Sequence, residues 1–410
     1  MVSDLTDLEQ ARRIVIESCE PLPPEPVHLE RSLGRVLAED VVSEIPIPPF
    51  DNSAMDGFAV RAADTADAAP GAPARLTVVG ESRAGRPADR GVDAGSAIRI
   101  STGAMLPEGA DAVLRKEDAA ELEGSLETER RLEPGTDVRR AGEDIEPGDT
   151  VIAGGSALGP AEVGVLASIG RDPVPCRRRA KLALIVTGDE LVDPSQSLRA
   201  GQIRDTNGIT LTSLAELAGA DVTTVMRVRD DRAATRASLA GAIRSDVAMI
   251  SGGVSVGPHD HVRPSLDALG AEQLFWGVAV RPGKPTWFGL SDGGPRHGGG
   301  LIFGLPGNPV SAVVIFLLLV RPALRALAGL DPLAARTTAI LDERYEKSRG
   351  RAHAVRVCLQ LADDGWHATL TRPEQASHIL TSMVGADALA IVPADSEGVA
   401  VGQSVEVELI

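Results

Sequence analysis

The stretch LALIVTGDEL, residues 182–191, decides the fold. Five apolar residues in a row, with no polar alternation, read as a strand covered on both faces. Thr187-Gly-Asp-Glu then ends it in a small polar loop. The pattern recurs in DVAMISGGVSVGPHD, residues 246–260, and LIFGLPGNPVS, residues 301–311. DVTTVMRV adds another strand, and helix-period runs lie between and after these segments: NGITLTSLAELAGA, ATRASLAGAIR, HVRPSLDALG and SAVVIFLLLVRPALRALAGL. Strands alternating with helices of this length predict a parallel-rich sheet with helices on both faces. Ligands of such sheets bind beyond the carboxyl ends of the strands. The three glycine-bearing loops are therefore expected to converge on one crevice.

Working outward, residues 4–18 and 160–169 read as helices and residues 31–38 as the start of another. PIPPFDN, from Pro46, and AGEDIEPGD, residues 141–149, are breaker-rich linkers. Between them ARLTVVG, SAIRIS and DAVLRKED predict a small β-rich domain. Beyond Asp331, TAILDERY, HAVRVCLQL, WHATLT, LAIVP and SVEVELI are strand-like, which predicts a C-terminal β domain. The fold class is multidomain α/β plus β, and 410 residues suit two to four domains.

Composition narrows the function. The formal net charge of -17 disfavours binding to a phosphate backbone, and ten aromatic residues (6 Phe, 3 Trp, 1 Tyr) provide no stacking platform for single strands. Nucleic acid is not an expected partner. An anionic substrate needs a local cationic pocket within this acidic envelope. Cys19, Cys176 and Cys358 have no metal-ligand spacing and are expected to be reduced, in a cytoplasmic setting. The N-terminus lacks a signal pattern, and VVIFLLLV, residues 313–320, is too short to span a membrane and reads as a buried helix.

The loops carry the chemistry. SGGVSVG can bring backbone amides close to a phosphate, because Gly252 and Gly253 lack a Cβ. It matches neither the P-loop nor the GxGxxG pattern, which disfavours nucleotide hydrolysis and nicotinamide binding. In GLPGNPVS, Asn308 can cap a helix begun by Pro309, placing Ser311 in its first turn; Pro306 and Pro309 stiffen the approach. RPGKP, residues 281–285, holds Arg281 and Lys284 around a turn suited to a compact oxyanion. Asp189, Glu190, Asp205, Asp230, Asp231 and Asp260 recur near these loops. Carboxylates beside a phosphate call for a divalent cation, Mg²⁺ by their hardness, although Asp205 is expected to cap a helix. PFDNSAMDGFAV, residues 49–60, is unusually polar for a linker.

These segments resemble a known family. PFDNSAMDGFAV, STGAMLPEGADAV, RRAGEDIEPGD, TGDEL, SGGVSVGPHD, RPGKP, GLPGNPVSAVV and QASHILTS occur in the order expected of molybdopterin molybdenumtransferases, the family that includes the gephyrin E domain. The resemblance implies four parts. They are an elongated segment of residues 1–45 and 145–179, an inserted β-rich domain at 46–144, a molybdopterin-binding-type α/β domain at 180–330, and a C-terminal β-barrel at 331–410. It implies a homodimer, with the PFDNSAMDGF loop facing the α/β domain of the second copy, and transient contacts with other cofactor-biosynthesis proteins or molybdoenzymes. The implied reaction converts adenylylated molybdopterin and molybdate to molybdenum cofactor and AMP.

Carried over by motif, Asp56, Thr102, Asp144, Glu190, Asp230 and Asp260 are the catalytic candidates, with Glu190 and Asp260 holding Mg²⁺. Arg281, Lys284, Ser311, Arg351, Arg356 and Ser377 are the molybdate candidates. Gly252, Gly253, Ser255, Pro306 and Pro309 would meet the pterin or its phosphate. Three positions depart from the family pattern. Arg281 replaces a lysine, Gly277 stands where a lysine is common, and Ala354 replaces an aromatic residue. Two other functions fit the same fold. One is a non-catalytic pterin carrier or scaffold, against which the intact carboxylate set argues. The other is a molybdopterin adenylyltransferase, against which the DNSAMDGF loop and the C-terminal β domain argue.

Overall fold

The structure is a computed structural model that describes residues 5–254, 260–333 and 335–410, apart from the side chain of Arg296. Ser255 lies outside the described residues. The chain forms two compact units: one takes the described residues of Met1–Pro26, Gly34–Ala38 and Pro175–Ile410, the other Val27–Leu33 and Glu39–Val174.

Helix α1 (Leu8–Glu17), in the first unit, is capped by Asp7, whose carboxylate accepts from the backbone N–H of Glu9 at 2.9 Å. Leu8, Ala11, Arg12 and Val15 are its buried face, at helical spacing. The helix expected to begin in 31–38 does not form. A short 3-10 turn (Leu29–Arg31) precedes Gly34, whose φ of 72° takes the backbone out of the helical region.

The second unit carries a six-stranded sheet. Its strands are β1 (Gly57–Val60), β2 (Ala74–Ser82), β3 (Ser96–Ile100), β4 (Ala112–Arg115), β5 (Ala120–Leu122) and β6 (Ser125–Thr128). Their order is β4-β1-β3-β2-β6-β5, with β2 and β3 parallel. Outside the sheet, Val41–Val42 pairs antiparallel with Thr150–Ile152, and α2 (Pro160–Ser168) follows.

In the first unit β7 (Lys181–Thr187), α3 (Asn207–Leu217), β8 (Asp221–Val228), α4 (Arg232–Ala242), β9 (Val247–Ser251) and α5 (Val262–Ala268) alternate as expected. After them come β10 (Glu272–Trp276), β11 (Val280–Arg281), β12 (Trp287–Leu290), β13 (Leu301–Leu305), α6 (Pro309–Ile315) and α7 (Arg321–Leu327). The sheet order is β8-β7-β9-β13-β12-β10. Four strands pair in parallel, but β12 runs antiparallel to both β13 and β10, so the sheet is mixed at that edge. Along β7, Leu182, Leu184 and Val186 face the core built on α1, α3, α6 and α7, while Ala183 and Ile185 face α4 and α5. Burial on both sides is why this strand shows no polar alternation.

The apolar run Pro309–Leu327 has a mean hydropathy of 2.1 and is the one helix, among the described residues, long and apolar enough to cross a membrane; 83% of it is buried in the protein. It is the expected core helix, with a π-helical turn (Phe316–Val320) inside it. Pro322 has no N–H to offer the carbonyl of Leu318, and that carbonyl accepts from Arg12 Nε at 3.3 Å instead.

The C-terminal strands β14 (Arg336–Leu341), β15 (Ala352–Ala362), β16 (Gly365–Leu370), β17 (Ala388–Val392) and β18 (Ser404–Leu409) close into a five-stranded barrel, β15-β16-β14-β18-β17 and back to β15. Strand β11 adds to β15 in parallel, setting Arg281 opposite His353.

A buried ionic cluster joins barrel to helices. Glu408 on β18 is 3% exposed. It pairs with Arg12 of α1, with Arg336 Nε at 3.3 Å, and with Arg321 Nη2 at 4.0 Å. Arg12, 1% exposed, also pairs with Glu9. Removing Glu408 takes from Arg12, itself 1% exposed, its buried carboxylate partner. Glu408→Ala is expected to destabilise the first unit by ~3–5 kcal/mol, read from the denaturant midpoint; an unchanged midpoint would remove the cluster from the forces holding barrel and helices together.

His367 on β16 bridges Asp342 (Nδ1, 2.7 Å) and Asp364 (Nε2, 2.9 Å). Both hydrogen bonds, Asp342's first, hold its pKa above the ordinary 6.5. The folded value exceeds the unfolded one, so this stabilisation is complete below 6.5 and fades as pH rises through the folded value. The gap in thermal midpoint between wild type and His367→Gln should therefore narrow from pH 6 to pH 8.5; a pH-independent gap would contradict the bridging role.

Candidate functional site

At the carboxyl ends of β7, β9 and β13 lies a cavity of about 380 Å³. Thr187 ends β7, Ser251 ends β9, and Pro306, Gly307 and Asn308 follow β13; all line it, with Glu190, Asp205 and Asn207. Two polar groups lock the loops together. Asn207 Nδ2 donates to Ser251 Oγ and to the Gly307 carbonyl, both at 2.8 Å, and Ser251 Oγ to the Pro306 carbonyl at 3.4 Å. Asp205 accepts from the Gly208 N–H at 2.8 Å at the head of α3, the capping role expected of it, and faces Arg227 Nε at 3.6 Å. Glu190, by contrast, is exposed. Asp189 and Asp230 exchange backbone-to-carboxylate bonds of 3.4 and 3.3 Å, so two strand-end loops are tied at Asp230. Asp260, partly exposed, stands just before α5.

Gly252 and Gly253 have φ of 93° and 64°, and a Cβ on Gly252 would lie 2.8 Å from both the carbonyl and Oγ1 of Thr187. Glycine is needed there for backbone conformation and close approach alike.

Beside the cavity is a group of cations. Arg281 and Lys284 are exposed on the RPGKP turn, whose Pro285 lines the cavity. Asn308 begins α6 with Pro309 at its first position, as expected, but its side chain does not cap the helix; Nδ2 reaches Ser377 Oγ at 3.3 Å. Ser311, 4% exposed, is in the first turn. Arg351 precedes β15 and is partly exposed. Arg356 is fully buried: Nε donates to Ser382 Oγ at 3.2 Å and Nη1 to the Ala354 carbonyl at 3.3 Å, while Nη2 has no partner. Burial pushes this guanidinium down to about 10. Among the described residues, no carboxylate forms an ion pair with Arg281, Lys284, Arg351 or Arg356. In a protein of charge -17, a group of cations without carboxylate partners is electrostatically suited to an anion.

The alternation along β15 divides these groups. His353, Val355 and Val357 lie on one face of the strand, the valines in the barrel core, while Ala352, Ala354 and Arg356 lie on the other, where the alanines join the core built on the helices. His353 Nδ1 is 2.8 Å from the Tyr345 hydroxyl. Its pKa is driven down to about 4 by burial first, then by Lys347, Arg281 and Arg351, so the ring is neutral at physiological pH.

In the second unit, Asp56 accepts from Thr102 N (2.8 Å) and Thr102 Oγ1 (3.0 Å), which hold its carboxylate below the usual range, the backbone bond foremost. Asp51 accepts from Ala141 N (2.8 Å) and Arg140 Nη1 (2.6 Å). These bonds tie the 49–60 loop to the stretches around Thr102 and Ala141. The Asp144 N–H donates to the Ile47 carbonyl at 2.9 Å, and its side chain is exposed.

Comparison with known proteins places the chain in a family. Residues 6–170 match the MoeA N-terminal region (domains I and II), 183–326 the "Probable molybdopterin binding domain", and 338–410 the MoeA C-terminal region (domain IV). The chain belongs to the MoeA family. It is 35% identical to the molybdopterin molybdenumtransferase of Haemophilus influenzae over 98% of both chains. It is 36% identical to molybdopterin molybdenumtransferase 2 of Mycobacterium tuberculosis, over 98% of this chain and 99% of that one. A crystal structure of the molybdopterin biosynthesis MoeA protein of Pyrococcus horikoshii superposes with a TM-score of 0.83 at 34% identity, covering 99% of each chain.

Two of the positions expected to depart from the family pattern have distinct local settings. Gly277 has a φ of 85°, and a Cβ there would lie 2.7 Å from Leu5 Cδ2. Ala354 is 1% exposed and packed in the core built on the helices. Thr187, Asn207, Tyr345 and His353 were not candidates from the sequence. The single signal for Thr187 was its place at the head of TGDEL; nothing local marked the others. Gly277→Lys is expected to lower stability by ~1–2 kcal/mol through strain at positive φ; a thermal midpoint at or above wild type would show that the turn accepts a side chain.

Proposed function

We propose that this chain inserts molybdenum into the pterin cofactor, taking adenylylated molybdopterin and molybdate to molybdenum cofactor and AMP. It is an enzyme of molybdenum cofactor biosynthesis, a molybdopterin molybdenumtransferase. The observation that carries the substrate assignment is the set of cations without carboxylate partners beside the strand-end cavity. Molybdate is a compact dianion, and Arg281 and Lys284, with Ser311, Arg351, Arg356 and Ser377, would bind it. Gly252, Gly253, Ser255, Pro306 and Pro309 would take the pterin and its phosphate, and Asp56, Thr102, Asp144, Glu190, Asp230 and Asp260 would act at the reacting groups.

Among the described residues no three His, Cys, Asp or Glu side chains gather to hold a metal ion. A Mg²⁺ ion bound through one or two carboxylates and substrate phosphates needs no such cluster. Glu190 and Asp260 would take that partial role, and the ion would supply neutralisation of phosphate charge.

The four-part division at 1–45 with 145–179, 46–144, 180–330 and 331–410 belongs to the same reading. So do a cytoplasmic homodimer and transient contacts with other cofactor-biosynthesis proteins or molybdoenzymes. Phe50, Met55 and Met105, all exposed around the Asp56 loop, support contact of that loop with a second copy.

With adenylylated molybdopterin, Mg²⁺ and molybdate, the protein should release AMP and form cofactor. Binding without AMP release would instead mark a carrier, and ATP consumption on free molybdopterin an adenylyltransferase. Lys284→Ala should raise the KM for molybdate at least about tenfold while the fold is retained; an unchanged KM would take Lys284 out of the anion site.

A further inference from the structure

Of the polar side chains lining the strand-end cavity, one has a buried hydroxyl that no described residue uses. Thr187 Oγ1 is buried and, among the described residues, has no hydrogen-bond partner; the residue is 8% exposed. Its neighbours differ. Asn207 and Ser251 have donors engaged within the loops, and Asp205 is engaged by Gly208 and Arg227. A buried hydroxyl without a partner opposes folding, and valine would fill the same volume without that cost.

The surroundings show what the hydroxyl can serve. Thr187 is the last residue of β7, at the strand end where ligands of such sheets sit. It lines the cavity with Glu190 and Asn308. Gly252 and Gly253 lie against it: a Cβ on Gly253 would come 3.1 Å from Oγ1, as one on Gly252 would come 2.8 Å. Their missing side chains let the turn approach the hydroxyl closely. The hydroxyl is screened from bulk water and can rotate its proton towards an acceptor.

We infer that Thr187 is a ligand-binding residue whose hydroxyl donates a hydrogen bond to an anionic phosphate oxygen of the substrate held against the Gly252–Gly253 turn. This rests on the reading of that turn as the phosphate site. A donor shielded from water gives a stronger bond to a charged oxygen than an exposed one. Keeping it unpaired in the free protein costs stability and gains affinity, a trade found at functional sites.

The test uses the full-length protein and adenylylated molybdopterin as probe, comparing wild type, Thr187→Val and Thr187→Ser. Thr187→Val is expected to bind the probe about tenfold more weakly and to melt, without ligand, no lower than wild type. Thr187→Ser, which keeps the hydroxyl, should recover most of the affinity. Equal affinity of wild type and Thr187→Val overturns the inference and leaves the phosphate site standing. So does a Thr187→Val protein with a lowered melting temperature whose affinity loss Thr187→Ser does not recover, since the hydroxyl is then structural. Failure of wild type itself to bind the probe overturns the phosphate-site reading, and the inference with it.

Discussion

A parallel strand covered on both faces can present functional groups only at its ends, and this constraint governs the first unit. Along β7, Leu182, Leu184 and Val186 pack on one helical layer and Ala183 and Ile185 on the other. β9, its neighbour towards the centre of the sheet, and β13 beyond it are likewise buried along their length. Each strand then turns polar within one or two residues. Because the three run parallel, the polar turns arrive at a single edge, and the cavity is where they meet. The core requires burial, the chain direction selects the edge, and the chemistry is confined to the loops.

The barrel completes the site by a different route. Strand β11 leaves the α/β sheet's hairpin and joins β15, so Arg281 is held in register with His353. Asn308 bonds to Ser377, adding a second link between the head of α6 and the C-terminal segment. The cluster around Glu408 fixes α1, α7 and the barrel together from behind. Cations that are far apart in sequence are thus held by backbone pairing and packing rather than by carboxylates, which leaves their charge available to an anion.

Much of this was legible in the residues. The runs between 181 and 327 are long, periodic and punctuated by Gly, Pro and Asn, so strands, helices and the start of α6 could be read locally. The failures have physical reasons. The run 31–38 has helical composition, but Gly34 turns the backbone to positive φ. The antiparallel β10–β12 pair lies in EQLFW and WFGL, whose partners cannot be found by periodicity because pairing is non-local. Asn308 looked like a cap, yet its side chain finds Ser377, 69 residues away.

By itself the sequence determined the element types, the glycine and proline positions that shape the loops, and the motifs that place the chain in the MoeA family. These are local properties, set by side-chain periodicity and backbone preference. Only the tertiary structure decided which polar groups are already engaged and which are not. Asn207, Ser251 and Asp205 are committed to the fold, while among the described residues the Thr187 hydroxyl and the cations at Arg281 and Lys284 have no such partners. Whether a donor has a partner depends on groups brought together from distant segments, and no window of sequence contains that information.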